Sequence, residues 1–408
     1  MMKFIAHLVC YCIYPFSFLF PRSKRKWAFG SFRGAFNDNA KYLFIYVSQQ
    51  IPEVDAVWIS INKSIVKEIQ EKGLKAYFVL SPKGIWHALT SKYWFFNAYS
   101  SDIMFCLSGN STRVNLWHGL PMKRIEFDII RGPLADRYLK RTMKERYYHP
   151  ETFQRPDYVL SPTPFFSESF AHAFRISNNH CLEFGYPRNE ILTCDDAKRQ
   201  DFIARYESKS TVQLLSRLHT VGYYKVFIYM PTWRDSQREI FVQGFDLDKI
   251  DDILRRQKSL LLLKPHANTY VDKSAFERYK NVILLDAGMD VYPILPYTDV
   301  LITDYSSVLY DYILMEHHDV ILYLYDYENY VKERDFYYPY NENVVGKKAM
   351  DFEELCHCIE HEDYHIDEVQ RKRILEKFWG DTISYSPCQK ISSFFLPTIN
   401  EHYPLLNN

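Results

Sequence analysis

The sequence predicts an α/β protein with two domains, each built on a parallel sheet that helices cover on both faces. At 408 residues the chain is too long for one ordinary hydrophobic core and fits two domains of about 150–200 residues. Its hydrophobic content of 47% is enough to fill two cores. Short, continuous apolar runs alternate with helix-length segments, which is the pattern of buried parallel strands joined by helices.

The apolar runs predict strands in two series. The first series lies near residues 26–31, 56–61, 75–80, 93–98 and 113–117. The second lies near residues 157–161, 225–230, 260–264, 282–285, 300–303 and 320–325. A charged stretch of helical character, DDAKRQDFIARYESK, interrupts the strands between residues 190 and 222. We therefore expect one domain over residues 26–205 and a second over residues 206–408.

Residues 1–25 predict a short helical segment that associates with a membrane. Residues 4–20 are apolar, and four basic residues follow between positions 22 and 26. Seventeen helical residues would span about 25 Å, short of a hydrocarbon core of about 30 Å, and Pro15 interrupts the run. A helix in the membrane interface, with its basic flank on anionic headgroups, fits better than a spanning helix or a signal peptide. The alternative is a buried core helix.

Charge and cysteine content limit the partners and the compartment. The chain has 50 basic and 50 acidic residues, so its net charge indicates no nucleic-acid partner. Its eight cysteines form no C-x-x-C pair, which is typical of reduced thiols in a cytosolic protein. Together with the N-terminal segment, this predicts a peripheral protein at the cytoplasmic face of the cell membrane.

One stretch collects residue types that bind zinc: Cys356, His357, Cys358, His361 and His365. The capping box formed by Asp351 and Glu354 predicts that this stretch lies on a helix. Side chains two positions apart on a helix point in different directions, which suits a tetrahedral metal poorly. We expect ordinary helix packing here and no metal site.

Unusual residues follow five of the predicted strands. They are the segments WHGLPMK at 117–123, GYPRN at 185–189, PTWRD at 231–235, KPH at 264–266 and DYSS at 304–307. Ligands of open parallel sheets bind beyond the carboxyl ends of the strands. Five such segments in one chain therefore predict one binding site.

Several of these residues suit a phosphate-bearing ligand. Ser306 and Ser307 precede a predicted helix and can offer hydroxyl and N–H groups to a phosphate, although a simple N-cap is the alternative. Asp311 lies one turn further on and can accept a hydrogen bond from a ribose or glycerol hydroxyl. Lys264 and His266 point to the same side of an extended chain and suit a diphosphate.

His118 is the better candidate for a general base. It stands between Trp117 and a Gly119-Leu120-Pro121 turn, which would hold it exposed at the end of a strand. The alternative is a structural histidine.

The sequence resembles the CDP-glycerol glycerophosphotransferases of teichoic acid and capsule synthesis. The matching strings are FGSFRGAFNDNAKYL at 29–43, WHGLPMKRIEFD at 117–128, GYPRNE at 185–190, YMPTWRD at 229–235, LKPH at 263–266 and DVLITDYSSVLYDY at 299–312. They follow the order of the family and cover nearly the whole chain. The resemblance implies a GT-B-like architecture, in which two Rossmann-like domains face a cleft. The C-terminal domain would hold the nucleotide, and the acceptor would approach from the N-terminal domain.

Carried over residue by residue, the resemblance implies that His118 and His266 are catalytic. It implies substrate binding by Gly119, Leu120, Pro121, Met122, Arg188, Pro231, Thr232, Lys264, Pro265, Ser306, Ser307 and Asp311. Three positions depart from the family pattern. Arg-Ile-Glu follows Lys123 where glycine is frequent, Ala267 replaces the usual proline, and Lys264 stands where arginine is common. These departures leave the donor alcohol open.

The implied activity is transfer of glycerol phosphate from CDP-glycerol to a hydroxyl of a polyprenyl-linked or polysaccharide acceptor, with release of CMP. The alternatives of the same fold are a CDP-ribitol phosphotransferase and a nucleotide-sugar glycosyltransferase. A non-catalytic membrane scaffold would have lost its site residues, whereas both histidines and the paired serines are present. No carboxylate pair has metal-ligand spacing, so no cofactor is assigned and Mg²⁺ remains an open alternative.

Overall fold

A computed structural model describes residues 2–132, 134–232, 245–265 and 273–396, and the strands of these residues form two sheets. The first sheet contains β1 (Ser23–Phe29), β2 (Asp55–Ser60), β3 (Ala76–Phe78), β4 (Ser91–Phe96), β5 (Thr112–Asn115), β6 (Tyr158–Ser161) and β7 (Cys181–Glu183). Its strand order is β3-β2-β1-β4-β5-β6-β7, and the paired strands run parallel. We call the part built on this sheet the N-terminal half.

The second sheet forms the C-terminal half. It contains β8 (Val226–Met230), β9 (Leu260–Leu263), β10 (Val282–Leu284), β11 (Val300–Thr303), β12 (Asp319–Tyr323) and β13 (Lys347–Ala349). Its strand order is β10-β9-β8-β11-β12-β13, again with parallel pairing. The predicted α/β class with two parallel sheets is confirmed.

Helices connect the strands and cover the sheets. They are α1 (Met2–Ser17), α2 (Asp38–Gln50), α3 (Lys63–Glu71), α4 (Pro82–Thr90), α5 (Ala135–Leu139), α6 (Met143–Tyr148), α7 (Pro164–Phe174), α8 (Glu190–Thr193), α9 (Asp196–Tyr206), α10 (Lys209–Val221), α11 (Leu247–Gln257), α12 (Val308–Tyr312), α13 (Tyr327–Glu333), α14 (Phe352–His361), α15 (Glu368–Phe378) and α16 (Pro387–Phe395).

Each of the predicted strands overlaps an observed one, but β7 and β13 were missed. Both are three residues long and lie at the edge of a sheet. Their sequences, Cys-Leu-Glu and Lys-Lys-Ala, contain no continuous apolar run, because an edge strand is only partly covered.

The last helix returns to the first sheet. The ring of Phe395 on α16 packs against Trp27, Tyr93 and Phe95, which belong to β1 and β4. The chain changes sheets between Glu183 and Val226, within the region where the sequence indicates a boundary. The boundary at residues 205 and 206 itself remains a prediction.

Helix α1 lies on the N-terminal half with its aromatic and polar side inward. Tyr11 donates to the carbonyl of Arg146 at 2.7 Å, and Ser17 accepts from the amide of Gly109 at 3.0 Å. Its outward side is apolar and exposed. Among the described residues, no helix is long and apolar enough to span a bilayer.

The basic cluster after α1 is not uniform. The Arg22 guanidinium is largely buried and donates to the carbonyls of Ala88, Ser91, Leu107 and Gly109. Burial lowers the pKa of Arg22 to about 10. The expectation that Arg22 binds lipid headgroups is therefore wrong, because four backbone acceptors already hold it.

The helix predicted after Asp351 is present as α14. Asp351 accepts from the amide of Glu354, and Glu354 accepts from the amide of Met350. Cys356 and Cys358 are buried by the second sheet, whereas the rings of His357 and His361 stack on the outer side. Within the described ranges, no group of three or more His, Cys, Asp or Glu side chains could hold a metal ion.

Candidate functional site at the junction of the two sheets

The two halves meet closely where the loop after β5 faces the loop after β11. A Cβ atom on Gly119 would overlap Ser307 Oγ and lie 3.2 Å from Ser307 Cβ. Only glycine allows this approach without a shift of the serine. Both loops were selected from the sequence, and their contact brings the loop that carries His118 against Ser307.

The geometry of His118 fixes which ring nitrogen can accept a proton. Its Nδ1 lies 3.1 Å from the carbonyl oxygen of Asn97. A carbonyl oxygen only accepts hydrogen bonds, so Nδ1 carries the hydrogen and Nε2 keeps its lone pair. The side chain has an exposed surface, but many protein atoms surround the ring. This desolvation lowers the pKa of His118, and the charge of Asp38 only partly opposes it. A neutral imidazole with a free Nε2 lone pair is a proton acceptor.

The conformation before His118 is strained. Trp117 has a φ of 52°, which is in the left-handed region and unfavourable for a large side chain. Two groups hold this residue in place: the Asn115 side chain accepts from the Trp117 amide at 2.9 Å, and the Asn39 side chain donates to the Trp117 carbonyl at 3.0 Å. The strained turn directs the following histidine away from the sheet.

Arg188, predicted to bind the donor, bridges two carboxylates in the interior. It donates to Asp38 at 2.7 Å, to Asp311 at 2.7 Å and to the carbonyl of His118 at 2.9 Å. Its side chain is 3% exposed, and Tyr292 also donates to Asp311, at 2.6 Å. Burial opposes the charge of Arg188, but Asp311 and the neighbouring groups outweigh it and raise its pKa. A direct contact of Arg188 or Asp311 with the donor remains a prediction.

The segment Leu120–Met122 contributes backbone rather than side chains at this junction. Leu120 and Met122 are buried. The carbonyl of Pro121 accepts from the Tyr338 hydroxyl at 2.7 Å, and that of Met122 accepts from the Tyr337 amide at 3.0 Å. The segment of the C-terminal half that contains Tyr337 and Tyr338 therefore holds the loop that carries His118.

Two loops of the C-terminal half lie side by side. The Asp304 carboxylate accepts from the amides of Thr232 and Tyr305, at 2.9 and 2.6 Å, which brings Pro231 and Thr232 next to the serines. Ser307 is the N-cap residue of α12, but its side chain makes no capping hydrogen bond, so its hydroxyl does not act as a simple cap. This helix has only five residues, so binding would depend on local hydroxyl and N–H groups more than on a helix dipole.

Lys264 points its ammonium group at a backbone carbonyl. It donates to Ala287 at 2.6 Å, and burial lowers its pKa to about 8, against the charges of Asp290 and Asp286. It therefore still carries a proton near neutral pH. Pro265 beside it is buried. His266 lies outside the described residues, so the expectation that it shares a side with Lys264 remains a prediction.

Three residues of this site were not selected from the sequence. Asp38, Asn97 and Tyr292 contact His118 or the Arg188 network, and none of them was among the predicted site residues, although Asp38 lies in the matching string at 29–43. Asn97 comes directly after β4, so the polar string FFNAYSSD at that strand end was a usable signal. Asp38 lies in the string FNDN after β1 and has a φ of 62°, which the sequence does not reveal.

A family model and a similar protein both match most of this chain. The family model described as CDP-glycerol:poly(glycerophosphate) glycerophosphotransferase matches residues 12–380. The teichoic acid glycerol-phosphate transferase of Staphylococcus aureus is 30% identical over 331 residues, which cover 78% of this chain and 79% of that protein. The predicted resemblance is confirmed.

Two further proteins are similar over most of this chain. The teichoic acid poly(glycerol phosphate) polymerase of Bacillus subtilis is 28% identical over 83% of this chain. The match covers only 44% of that polymerase, so this chain spans less than half of its length. A solved structure of the wall teichoic acid polymerase TagF has a TM-score of 0.70 and 25% identity, and the match covers 93% of this chain and 90% of the solved one. That likeness supports the GT-B-like fold.

Proposed function

The chain belongs to the CDP-glycerol:poly(glycerophosphate) glycerophosphotransferase family, and from this premise we propose that it transfers glycerol phosphate from CDP-glycerol to a hydroxyl of a cell-surface polymer or its lipid-linked precursor. The observation that carries the proposal is the state of His118. Its Nδ1 hydrogen is bound by the Asn97 carbonyl, its Nε2 has no hydrogen-bond partner within the described ranges, and it stands on the loop that meets Ser307.

The proposed reaction is a direct displacement at phosphorus. His118 Nε2 accepts the proton of the acceptor hydroxyl, and the oxygen attacks the β-phosphorus of CDP-glycerol. The bond between that phosphorus and the bridging oxygen breaks, and CMP leaves with the electron pair. The products are the extended acceptor, linked by a new phosphodiester, and CMP.

The C-terminal half would hold the donor. Ser306 and Ser307, on the loop that meets Gly119, would offer hydroxyl groups to the donor, and protonated Lys264 can neutralise phosphate charge. His266 is proposed, from the family resemblance alone, to donate a proton to the departing phosphate. Arg188 would act on the base rather than on the donor, because its guanidinium already binds the His118 carbonyl and two carboxylates.

A transfer assay tests this proposal. Purified protein with radiolabelled CDP-glycerol and a lipid-linked acceptor should yield labelled product and CMP, with less product from CDP-ribitol or from UDP- and GDP-sugars. His118→Ala should lower turnover by about 10²-fold or more, because the base is lost, while donor binding measured by calorimetry persists. His219→Ala, an exposed histidine on α10, is the matched control and should leave turnover unchanged.

Each result of that assay has a defined meaning. Near-normal turnover of the His118→Ala protein would overturn the base assignment, and a preference for CDP-ribitol would change the donor alcohol. Repeating the assay with EDTA and with added Mg²⁺ decides whether a metal is required.

We also propose that the protein works at a membrane surface through the outer side of α1. Ile5, Leu8, Val9, Ile13 and Phe16 recur every three or four residues and are exposed, so they form one apolar stripe. The inward side is occupied by hydrogen bonds to the N-terminal half. A polyprenyl-linked acceptor stays in the bilayer, so an enzyme that uses it must reach the interface.

Substitution of this stripe tests the membrane proposal better than deletion of α1, since deletion would also uncover the inward contacts. Changing Ile5, Leu8 and Phe16 to serine should weaken binding to anionic vesicles by about 10²-fold, at roughly 1 kcal/mol for each half-exposed side chain. Val369→Ser, on α15 and 80% exposed, is the matched control. Unchanged vesicle binding in a flotation assay would contradict the proposal.

A further inference from the structure

A buried carboxylate lies behind the backbone group that holds His118. The Asn97 carbonyl accepts from His118 Nδ1 at 3.1 Å. The N–H at the other end of the same peptide group, that of Ala98, donates to Asp102 Oδ2 at 2.9 Å. The Asn97 amide donates to the same oxygen at 3.1 Å. Carboxylate, peptide group and imidazole thus form one continuous chain of hydrogen bonds.

A peptide group can transmit charge between its two ends. Its C=O and N–H are conjugated, and an N–H that donates to an anion makes the carbonyl oxygen a stronger acceptor. Where Asp102 is ionised, above about pH 7, its negative charge therefore strengthens the bond from His118 to the Asn97 carbonyl. In many enzymes a carboxylate binds the histidine directly and fixes its tautomer. Here one peptide group stands between them.

We propose that Asp102 is a positioning residue for His118, which acts through the Asn97–Ala98 peptide to hold the Nδ1–H tautomer and to stabilise the ring when it takes up a proton. The proposal rests on the role of His118 given above. It extends that role, because it assigns a function to a carboxylate that touches neither the histidine nor the junction of the two halves.

The charge of Asp102 is hard to explain as a structural feature alone. The side chain is 5% exposed, and it forms no ion pair among the residues that the structure describes. A buried carboxylate without a counter-ion is costly, and a neutral acceptor could anchor two amides at lower cost. The loop also has other anchors, because the Asn97 side chain donates to Ser31 at 2.8 Å and accepts from the Ala40 amide at 3.0 Å.

Other charged groups also act on His118 and must be held constant. Asp38, at the start of α2, favours the protonated ring, whereas Arg188 and Lys123 oppose it. Asp38 also acts on Asp102. Asp102→Asn leaves these three residues in place and retains an oxygen that can accept from the Asn97 and Ala98 amides, so it removes the charge and places an NH2 group where the second oxygen was.

NMR on protein labelled with ¹⁵N-histidine tests the proposal without substrate. The protein has 14 histidines, and the His118→Ala spectrum identifies the signal. At about pH 8, where Asp102 is mostly ionised and His118 is neutral, we expect some Nε2–H tautomer to appear in Asp102→Asn, because the charge that holds the Nδ1–H tautomer is gone. Turnover at the same pH should fall about 3–10-fold.

Glu126→Gln is the matched control. Glu126 is also a buried carboxyl of the N-terminal half, and burial raises the pKa of both Glu126 and Asp102 to about 7. Its hydrogen bond at 2.6 Å comes from the Tyr99 hydroxyl and not from a peptide bound to His118. Its removal should leave the His118 signal unchanged.

The outcomes separate this proposal from the proposed function. An unchanged tautomer at about pH 8 in folded Asp102→Asn, or the same change in Glu126→Gln, would overturn the relay. A shifted His118 signal with normal turnover would support the relay and overturn the base assignment. If Asp102→Asn does not fold, the Ala98 amide proton of the unaltered protein decides: it should titrate with both Asp102 and His118, and a pH-independent signal would overturn the relay.

Discussion

Two buried networks link the N-terminal and C-terminal halves, and both place one cation between two carboxylates. In the first, Arg188 binds Asp38 from its own half and Asp311 from the other, and the Tyr292 hydroxyl donates to Asp311. This network reaches the reaction site, because Arg188 also binds the carbonyl of His118.

The second network has the same composition at a different place. Lys41 on α2 binds Glu207 at 2.5 Å and Asp290 at 2.8 Å, and the Tyr42 hydroxyl donates to Asp290 at 3.0 Å. The three charged side chains are 1%, 3% and 4% exposed, so water does not reach them. None of their hydrogen bonds goes to His118, Ser306 or Ser307.

The difference lies in the cation. The planar guanidinium of Arg188 reaches two carboxylates and a carbonyl at once, so it can position a loop as well as balance charge. The ammonium of Lys41 is a point charge that joins the two halves, and it makes no hydrogen bond to a predicted site residue. The Arg188 network thus positions the loop of the proposed base, whereas the Lys41 network, with the same arrangement of charges, joins the two halves.

Removing the cations should give the largest effects and separate the two roles. Lys41→Met leaves two buried carboxylates unpaired, and Arg188→Met leaves buried Asp311 and partly exposed Asp38 unpaired. Each substitution should lower stability by about 3–5 kcal/mol, measured by urea unfolding. At a temperature where both proteins remain folded, Arg188→Met should lose turnover by 10²-fold or more, whereas Lys41→Met should retain most of it.

Lys67→Met is the control for these substitutions. Its ion pair with Glu71 is exposed, and such pairs contribute about 0–1 kcal/mol. If folded Lys41→Met is as inactive as Arg188→Met, the two networks do not differ in the way described.

A smaller effect tests how closely the halves meet beside the Arg188 network. Gly119→Ala should cost about 1–3 kcal/mol in kcat/KM, because the new Cβ overlaps Ser307 Oγ. Ser307→Ala removes that atom, so Gly119→Ala should cost less in the Ser307→Ala protein than in the original one. Kinetics of the two single variants and the double variant measure this coupling. Additive losses would mean that the loops are further apart in the working enzyme.

The sequence was sufficient for the features that local patterns encode. The apolar runs marked the long central strands, and the unusual strings after β5 and β11 selected His118, Ser306 and Ser307. The pairing of Arg188 with Asp311 could not be inferred, because the two residues are 123 positions apart and no local pattern relates them. Asp102 was missed for a related reason: a carboxylate that acts through a peptide group resembles any turn aspartate.

The weakest effect that distinguishes the networks is their response to alkaline pH. Burial opposes the charge of Lys41, but Asp290 and Glu207 outweigh it and raise its pKa above the ordinary value of 10.5. A group whose folded pKa exceeds its unfolded pKa adds stability that is fully present below the unfolded pKa and is lost as the pH rises through the folded pKa. The Lys41 network should therefore weaken above about pH 10.5, whereas Arg188 stays charged throughout.

Lys41→Arg isolates this contribution from the other lysines and tyrosines that titrate in the same range. The larger guanidinium in a filled site should lower the absolute stability, so the slopes are compared rather than the levels. Between pH 9 and about 11.5, the melting temperature of the original protein should fall more steeply than that of Lys41→Arg. Equal slopes would mean that Lys41 does not lose its proton in the folded state within this range, or that its charge adds little to the attachment of the two halves.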